Sequence, residues 1–588
     1  MKSFFKYVLA TVLGIILTSI LMFIISIGII GGIVSSQDQP VKIKPNTVLH
    51  IELNQIIMDR SNNNPMENFD FASFTPTPQL GLNDILKNIK KAKADPNIDG
   101  IYLDLTYIQA GLATIEEIRN ALIDFKESGK FIISYSDTYT QPTYYLASVA
   151  DKIYLNPEGL LVFVGMRAEI MFYKDALEKI GVEPQIIRHG KFKSYVEPYM
   201  YNEMSDENRE QIMAYMGTIW NHMLKGISAE RQIGVKKLNE IADNLSLKDV
   251  EIALSQGLID GLKYKDEILR ELAELTKKTD DSKIEHVSLS KYTKVPEKNR
   301  KSLEKNKIAV VYASGNMIMG EGGEGSIGSD RISRAIRKVR KDSSIKAIVL
   351  RVNSGGGAAL SADIIWREIQ LAQETKPVIV SIGDVAASGG YYIAAPADKI
   401  IASPNSITGS IGVFGLFFTG KELLNDKLGI HVDVAKTNTH ADIGSFYRPF
   451  SAAEKEIFQY LVEDTYDNFI TKVGEGRNMK KEDVDAIGQG RVWSGVNAIE
   501  NGLIDGFGGL EDAITLAAEA SGIESYRTVD YPKLKDPFQQ FFEELQGNVK
   551  ASILKKELGK EYKYYEALQN VTNQQGIQAR IPFELDIY

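Results

Sequence analysis

Apolar positions along this chain follow two alternating patterns. Short β-branched runs are succeeded by stretches with helical spacing: Ile345 to Val352 reads as a strand, Ser361 to Glu374 as a helix, and Pro377 to Ile382 as a further strand. Ala347-Ile348-Val349-Leu350 is apolar without interruption, the pattern of a strand covered on both faces. Strands alternating with helices predict an α/β architecture, with parallel strands joined by right-handed crossovers.

One segment departs from both patterns. Val8 to Val34 contains no charged residue and follows Lys2 and Lys6. As a helix it spans roughly 40 Å, more than the ~30 Å hydrocarbon core of a bilayer. Residues 1–36 therefore read as a cytoplasmic start and a transmembrane anchor, with the lysines inside and the body of the protein outside. The alternative is a cleaved signal peptide ending near Val34-Ser35-Ser36, but the apolar region of such peptides runs to only about 7–15 residues.

The pattern also repeats. A shift of 247 positions carries Asp95, Ile98 and Leu103 onto Asp342, Ile345 and Leu350. The same shift carries Tyr144-Tyr145 onto Tyr391-Tyr392 and Ala150-Asp151-Lys152-Ile153 onto Ala397-Asp398-Lys399-Ile400. After a small deletion, Gly257-Leu258-Ile259-Asp260-Gly261 returns as Gly502-Leu503-Ile504-Asp505-Gly506. Two tandem domains of one plan are expected, at 46–276 and 307–530, joined by a charged linker at 277–306. A tail at 531–588 carries an amphipathic helical pattern around Phe538 to Leu558, read as a packing or subunit-contact element.

Composition narrows the function. A formal charge of -9 removes the broad attraction that a nucleic-acid partner or an anionic membrane surface would need. The absence of cysteine excludes disulfides, thiolate catalysis and cysteine-ligated zinc. The glycine clusters at Gly320 to Gly328 and Gly355 to Gly357 lack the Gly-Lys-Ser/Thr ending of a phosphate loop, and no dinucleotide fingerprint opens a helix. No metal or cofactor is called for.

Duplication exposes chemistry by difference. Gly383-Asp384-Val385-Ala386-Ala387-Ser388-Gly389-Gly390-Tyr391 corresponds to Ser136-Asp137-Thr138-Tyr139-Thr140-Gln141-Pro142-Thr143-Tyr144, so Ser388 faces Gln141. A serine between a strand and a helix start has backbone N–H groups and a helix dipole beside it, as a nucleophile requires. The same sequence also suits a plain N-cap followed by a tight turn. Asn353-Ser354-Gly355-Gly356-Gly357 lies at the carboxyl end of another strand, where open α/β sheets gather their sites. None of the six histidines, His50, His189, His222, His286, His431 and His440, stands in a recognisable triad setting, and Ser388 lacks a Gly-x-Ser-x-Gly elbow. A buried lysine is the other base available, since desolvation disfavours its charged form. The first repeat has Gly190-Lys191-Phe192-Lys193-Ser194-Tyr195-Val196-Glu197-Pro198, where the second has Asn438-Thr439-His440-Ala441-Asp442-Ile443-Gly444-Ser445.

Together these segments resemble the long, duplicated form of the signal peptide peptidase A (protease IV) family, from the N-terminal anchor to about Gly509. The resemblance implies two tandem ClpP/crotonase-like domains behind the transmembrane helix. It implies Ser388 as nucleophile, Lys193 as general base, and Ser410, in Thr408 to Val413, as the lysine's hydrogen-bond partner. Gly389 and Gly356 would form the oxyanion site, although Gly355 stands where the family's Asn-Ser-Pro-Gly-Gly loop has proline. It further implies a membrane-tethered homotetramer on the outer side of the cytoplasmic membrane, degrading released signal peptides and other apolar peptides. Two other readings share the fold: a peptide-binding scaffold without hydrolysis, and a crotonase-type acyl-CoA enzyme.

Overall fold

The computed structural model describes residues 41–62, 79–278, 284–296, 304–534 and 576–581, the short strands at 69–70 and 75–76, and most of 4–21. Among these residues no helix is long and apolar enough to cross a membrane. The expected anchor lies only partly among them, because positions 22–40 are outside the described set. The helical pattern of the tail around Phe538 to Leu558 is also outside it.

Each repeat is built on its own sheet. In the first, Gly261–Leu262, Lys152–Leu161, Phe131–Tyr139, Ile98–Asp104, Thr47–Ile51 and Glu285–Ser288 lie side by side in that order, all parallel. Glu285–Ser288, from the segment read as linker, is its edge strand. In the second, the order is Val492–Ser494, Ile407–Gly409, Val378–Ala387, Ile345–Ser354, Lys307–Ser314 and Arg527–Tyr531, with Lys399–Ala402 beside Val378–Ala387. Pairing there is parallel except between Ile407–Gly409 and Val492–Ser494.

The uninterrupted apolar run behaves as its pattern requires. Ile348 and Leu350 face one core cluster, and Ala347 and Val349 face another on the opposite side of the sheet. The repeated residues also make the same bonds twice. The carboxylates of Asp151 and Asp398 accept from the backbone of Ile132 and Val378, and those of Asp260 and Asp505 from Ile153 and Ile400. The hydroxyls of Tyr144 and Tyr391 donate to the carbonyls of Leu258 and Leu503. Each of these side chains pins a strand or helix terminus, which accounts for their recurrence in both copies.

A third sheet joins the halves. Its strands are Ser326–Gly328, Asn316–Ile318, Gly356–Ala358, Gly576–Arg580, Phe414–Thr419 and Glu183–Arg188. Glu183–Arg188 of the first repeat pairs antiparallel with Phe414–Thr419 of the second, Arg188 opposite Phe414. The halves are also tied by buried charge. Arg351 on the second sheet is fully buried between Asp59 and Glu117, at 2.7 Å from each carboxylate. Glu117 in turn accepts from Leu510 N at the start of the helix Leu510–Ala520. Reciprocally, Asp384 accepts from Thr114 N and Thr114 Oγ1, at 2.9 and 2.7 Å, at the start of the helix Leu112–Lys126. Each repeat thus caps a helix of the other.

Candidate active site

The strand Val378–Ala387 runs five residues beyond the expected end at Ile382. Its last part, Val385–Ala387, is held by pairing with Ile407–Gly409. Ser388 follows at once and stands at the N-cap of the helix Gly389–Ala394. Its backbone has φ 56° and ψ -117°, a conformation that a non-glycine residue adopts only when its surroundings enforce it. Ser388 N donates to Gly409 O at 2.8 Å, and Tyr392 N donates to Ser388 O at 2.8 Å. The side chain makes no capping bond. The hydroxyl is therefore not spent on the helix and turns to other partners. Gln141, the counterpart in the first repeat, is a clamp on Val164, Gly165 and their loop.

The antiparallel ribbon between the halves delivers the lysine. Lys193 lies five residues beyond the strand Glu183–Arg188, and Ser410 lies four before Phe414 on the partner strand. His189 N donates to Val413 O and Phe192 N to Gln489 O, which extends the junction to the lysine turn. Gln211 spans the same seam, donating to Phe192 O and Ser194 Oγ while accepting from Val492 N. Glu197, fully buried, accepts from Ser205 Oγ and Asn208 Nδ2 and closes the turn from below.

Lys193 Nζ reaches Ser388 Oγ at 2.8 Å, Ser410 O at 3.0 Å and Ser410 Oγ at 3.0 Å. Lys193, Ser388 and Ser410 have no exposed surface. Burial holds the ammonium well below the usual lysine range. No carboxylate counteracts this, because the amine's described partners are all neutral oxygens. A neutral amine has two N–H donors and one lone pair. The Ser410 carbonyl must take one N–H, the Ser410 hydroxyl can take the other, and the lone pair is left for the Ser388 O–H. Ser410 is itself held at φ 49°. The lysine stem is packed so closely that a Cβ on Gly490 would fall 2.6 Å from Lys193 Cα, and one on Gly412 would fall 3.1 Å from its Cδ.

The other expected residues are placed as follows. Gly389 opens the nucleophile helix. Gly356 has φ 97°, and a Cβ there would come within 2.7 Å of Gly389 N, so the two glycines adjoin. Gly356 N itself donates to Ser354 Oγ at 3.1 Å. Lys191 is exposed beside Phe192. His440 pairs with Glu454 at 3.2 Å instead of approaching Ser388. Sequence reasoning missed the carbonyl of Gly412, 3.4 Å from Ser388 Oγ, and the two glycines that seat the lysine. A close-approach role for Gly412 could have been suspected from its motif. Gly490 gave no such signal.

The model of peptidase family S49 matches the chain twice, over residues 124–279 and 370–524, and one match contains Lys193 and the other Ser388. Protease 4 of Haemophilus influenzae is 38% identical over 446 residues, covering 74% of this chain and 72% of that protein. Protease 4 of Salmonella typhi is 36% identical over 496 residues, covering 82% and 79%. The chloroplastic serine protease SPPA of Arabidopsis thaliana is 33% identical over 511 residues, covering 85% and 74%. With two family matches, relatives that share most of its length, and a serine beside a desolvated lysine, the chain belongs to peptidase family S49 and is a serine peptidase.

Proposed function

We propose that Ser388 and Lys193 are the catalytic pair of an endopeptidase that degrades cleaved signal peptides and other apolar peptides at the outer face of the cytoplasmic membrane. The observation that carries this reading is the 2.8 Å approach of Lys193 Nζ to Ser388 Oγ with both side chains out of solvent. Lys193, neutral, takes the Ser388 proton as Oγ attacks the substrate carbonyl. Ser410 orients the amine through its two oxygens. The N–H of Gly389, at the positive end of its helix, stabilises the oxyanion. Gly356 N–H joins it on giving up its Ser354 partner. Lys193 then passes the proton to the leaving amine, and water, activated by the same lysine, releases the acyl group.

Each repeat is read as a ClpP/crotonase-like domain, on the strength of family membership. The membrane tether is the run Val8 to Val34 with Lys2 and Lys6 inside, and the family resemblance supports a homotetramer. A scaffold that only binds peptides has no use for a desolvated amine against a serine hydroxyl. A crotonase-type acyl-CoA enzyme needs neither that lysine nor an anchor.

The test is a fluorophosphonate probe together with an apolar peptide substrate. Wild type should be labelled at Ser388 and should cleave the peptide. Ser388→Ala and Lys193→Ala should each lose about 10³-fold or more in turnover while keeping the native circular dichroism spectrum. Unchanged hydrolysis by folded Ser388→Ala would refute the assignment. Acyl-CoA turnover without peptide cleavage would favour the crotonase reading.

A further inference from the structure

The ends of two strands in the first repeat gather polar groups that the second repeat lacks. Thr47–Ile51 and Ile98–Asp104 pair in parallel, with His50 opposite Tyr102. Alternation along the strands puts His50, Tyr102 and Asp104 on one face, and Glu52 follows the strand end on the same side. The shift of 247 positions carries Tyr102 onto Val349 and Asp104 onto Arg351. Val310 lies opposite Val349 in the second sheet, as His50 lies opposite Tyr102 in the first. Val310 and Val349 pack in an apolar cluster, and Arg351 has two carboxylates of its own. The first repeat holds an imidazole and two carboxylates in the same place.

These three side chains converge. His50 Nε2 lies 3.2 Å from Asp104 Oδ2 and 3.4 Å from Glu52 Oε1, and their ligand atoms all fall within 4.8 Å of one another. Hydrogen bonding alone does not satisfy the arrangement. An imidazole nitrogen carries at most one N–H, which serves one carboxylate and not both. Lys265, at the start of the helix Lys265–Leu275, donates to Asp104 Oδ2 at 2.8 Å, but its side chain is more than half exposed. Among the described residues Glu52 has no ion-pair partner besides His50.

A second observation points to a ligand. Tyr102 is 4% exposed and stacks on the His50 ring, with centroids 5.1 Å and planes 12° apart. Its buried hydroxyl has no hydrogen-bond partner among the described residues. A buried hydroxyl in that position calls for an acceptor, and a water held by a metal ion beside the imidazole supplies one.

We propose that His50, Glu52 and Asp104 bind a divalent transition ion of the zinc type, with water completing its coordination. In a tetrahedral zinc site with bonds of about 2.0–2.2 Å the ligand atoms stand roughly 3.3–3.6 Å apart, and His50 Nε2 already keeps such distances to both carboxylates. An imidazole with two carboxylates suits zinc and its neighbours; calcium takes six to eight oxygens. The ion neutralises both carboxylates, Lys265 turns to solvent, and Tyr102 donates to the metal-bound water. The role is structural: the ion clamps the carboxyl ends of two neighbouring strands, and it needs neither Ser388 nor Lys193. No ligand spacing along the chain marks the site, because Asp104 joins the other two only through strand pairing.

Calorimetric titration of Zn²⁺ into the full-length chain, free of any affinity tag and stripped with a chelator, tests this. Wild type should bind one ion per chain, and Co²⁺ in its place should show the visible absorption of a low-coordinate site. Glu52 is half exposed, so Glu52→Gln leaves folding intact; it and His50→Gln should each weaken binding at least about tenfold. Lys265→Met should tighten binding roughly threefold, because a competing ammonium is gone. Saturating Zn²⁺ should raise the unfolding midpoint of wild type more than that of Glu52→Gln. Absence of stoichiometric binding, equal binding by wild type and both ligand variants, weaker binding by Lys265→Met, or equal affinity for Mg²⁺ would each overturn the proposal.

Discussion

Lys193 Nζ and Ser388 Oγ meet at 2.8 Å across 195 positions of sequence, one from each half of a duplicated chain. The first repeat has glutamine where the second has its serine, and the second has His440 in the region corresponding to the lysine segment. The contact exists only because the strands Glu183–Arg188 and Phe414–Thr419 pair across the seam.

Activity should rise with pH through the lowered pKa of Lys193 and then level, since only the neutral amine accepts the proton. Lys193→Arg should be inactive across the range, because a guanidinium stays protonated. Initial rates on an apolar peptide between pH 5 and 10 check both. A flat profile for wild type would remove Lys193 as the base.

Stability carries the same signature. Lys193 is protonated in the unfolded chain up to about pH 10.4 but loses its proton at lower pH when folded. The unfolded state therefore binds more protons between the two values, and wild type gains stability as pH rises through that window. Relative to Lys193→Met, which does not titrate, wild type should gain ground as pH rises through the window between the lowered value and about pH 10.4. Urea unfolding at several pH values measures the difference; a constant gap would mean the amine is not desolvated.

Ser410→Ala should be intermediate. It removes the hydroxyl partner of Lys193 but leaves the Ser410 carbonyl in place at 3.0 Å. Loss of one net hydrogen bond, about 1 kcal/mol, corresponds to roughly a fivefold fall in turnover. A loss as deep as that of Lys193→Ala would give Ser410 a larger part.

Arg351→Met should destabilise strongly, because it strands Asp59 and Glu117 in the interior; breaking one side of a buried pair costs about 3–5 kcal/mol. Adding Asp59→Asn and Glu117→Gln should recover much of the loss. Because the cluster ties the halves together, peptide hydrolysis should fall in parallel with denaturation midpoint.

Protease added to intact spheroplasts should digest the folded body if the proposed anchor orients it outward, as the bias set by Lys2 and Lys6 favours. Protection until the membrane is lysed would reverse the topology.

Much of the site was legible because duplication turned difference into a signal. Ser388 against Gln141 needed no structure, and neither did the strand at Ile345 to Val352, whose apolar run was long enough to declare itself. The extension of the next strand to Ala387 was not legible: Gly383-Asp384 interrupts the apolar pattern, and its partner Ile407–Gly409 is distant in sequence. Asp59, Glu117 and Arg351 are scattered charges in sequence and become one cluster only when folded. The strand at Gly576–Arg580 falls in a tail read as helical, and its extended form comes from two remote neighbours, not from its own composition.

On the proposed Ser388/Lys193 mechanism, division of the pair between repeats also sets when the molecule becomes dangerous. During synthesis the first repeat leaves the ribosome carrying an amine with nothing to activate, and the serine emerges nearly 200 residues later. No nascent fragment that ends before Ser410 and Gly412 holds a complete proton relay. On that mechanism a chain interrupted in translation is born harmless, and proteolytic competence coincides with the docking of the two repeats.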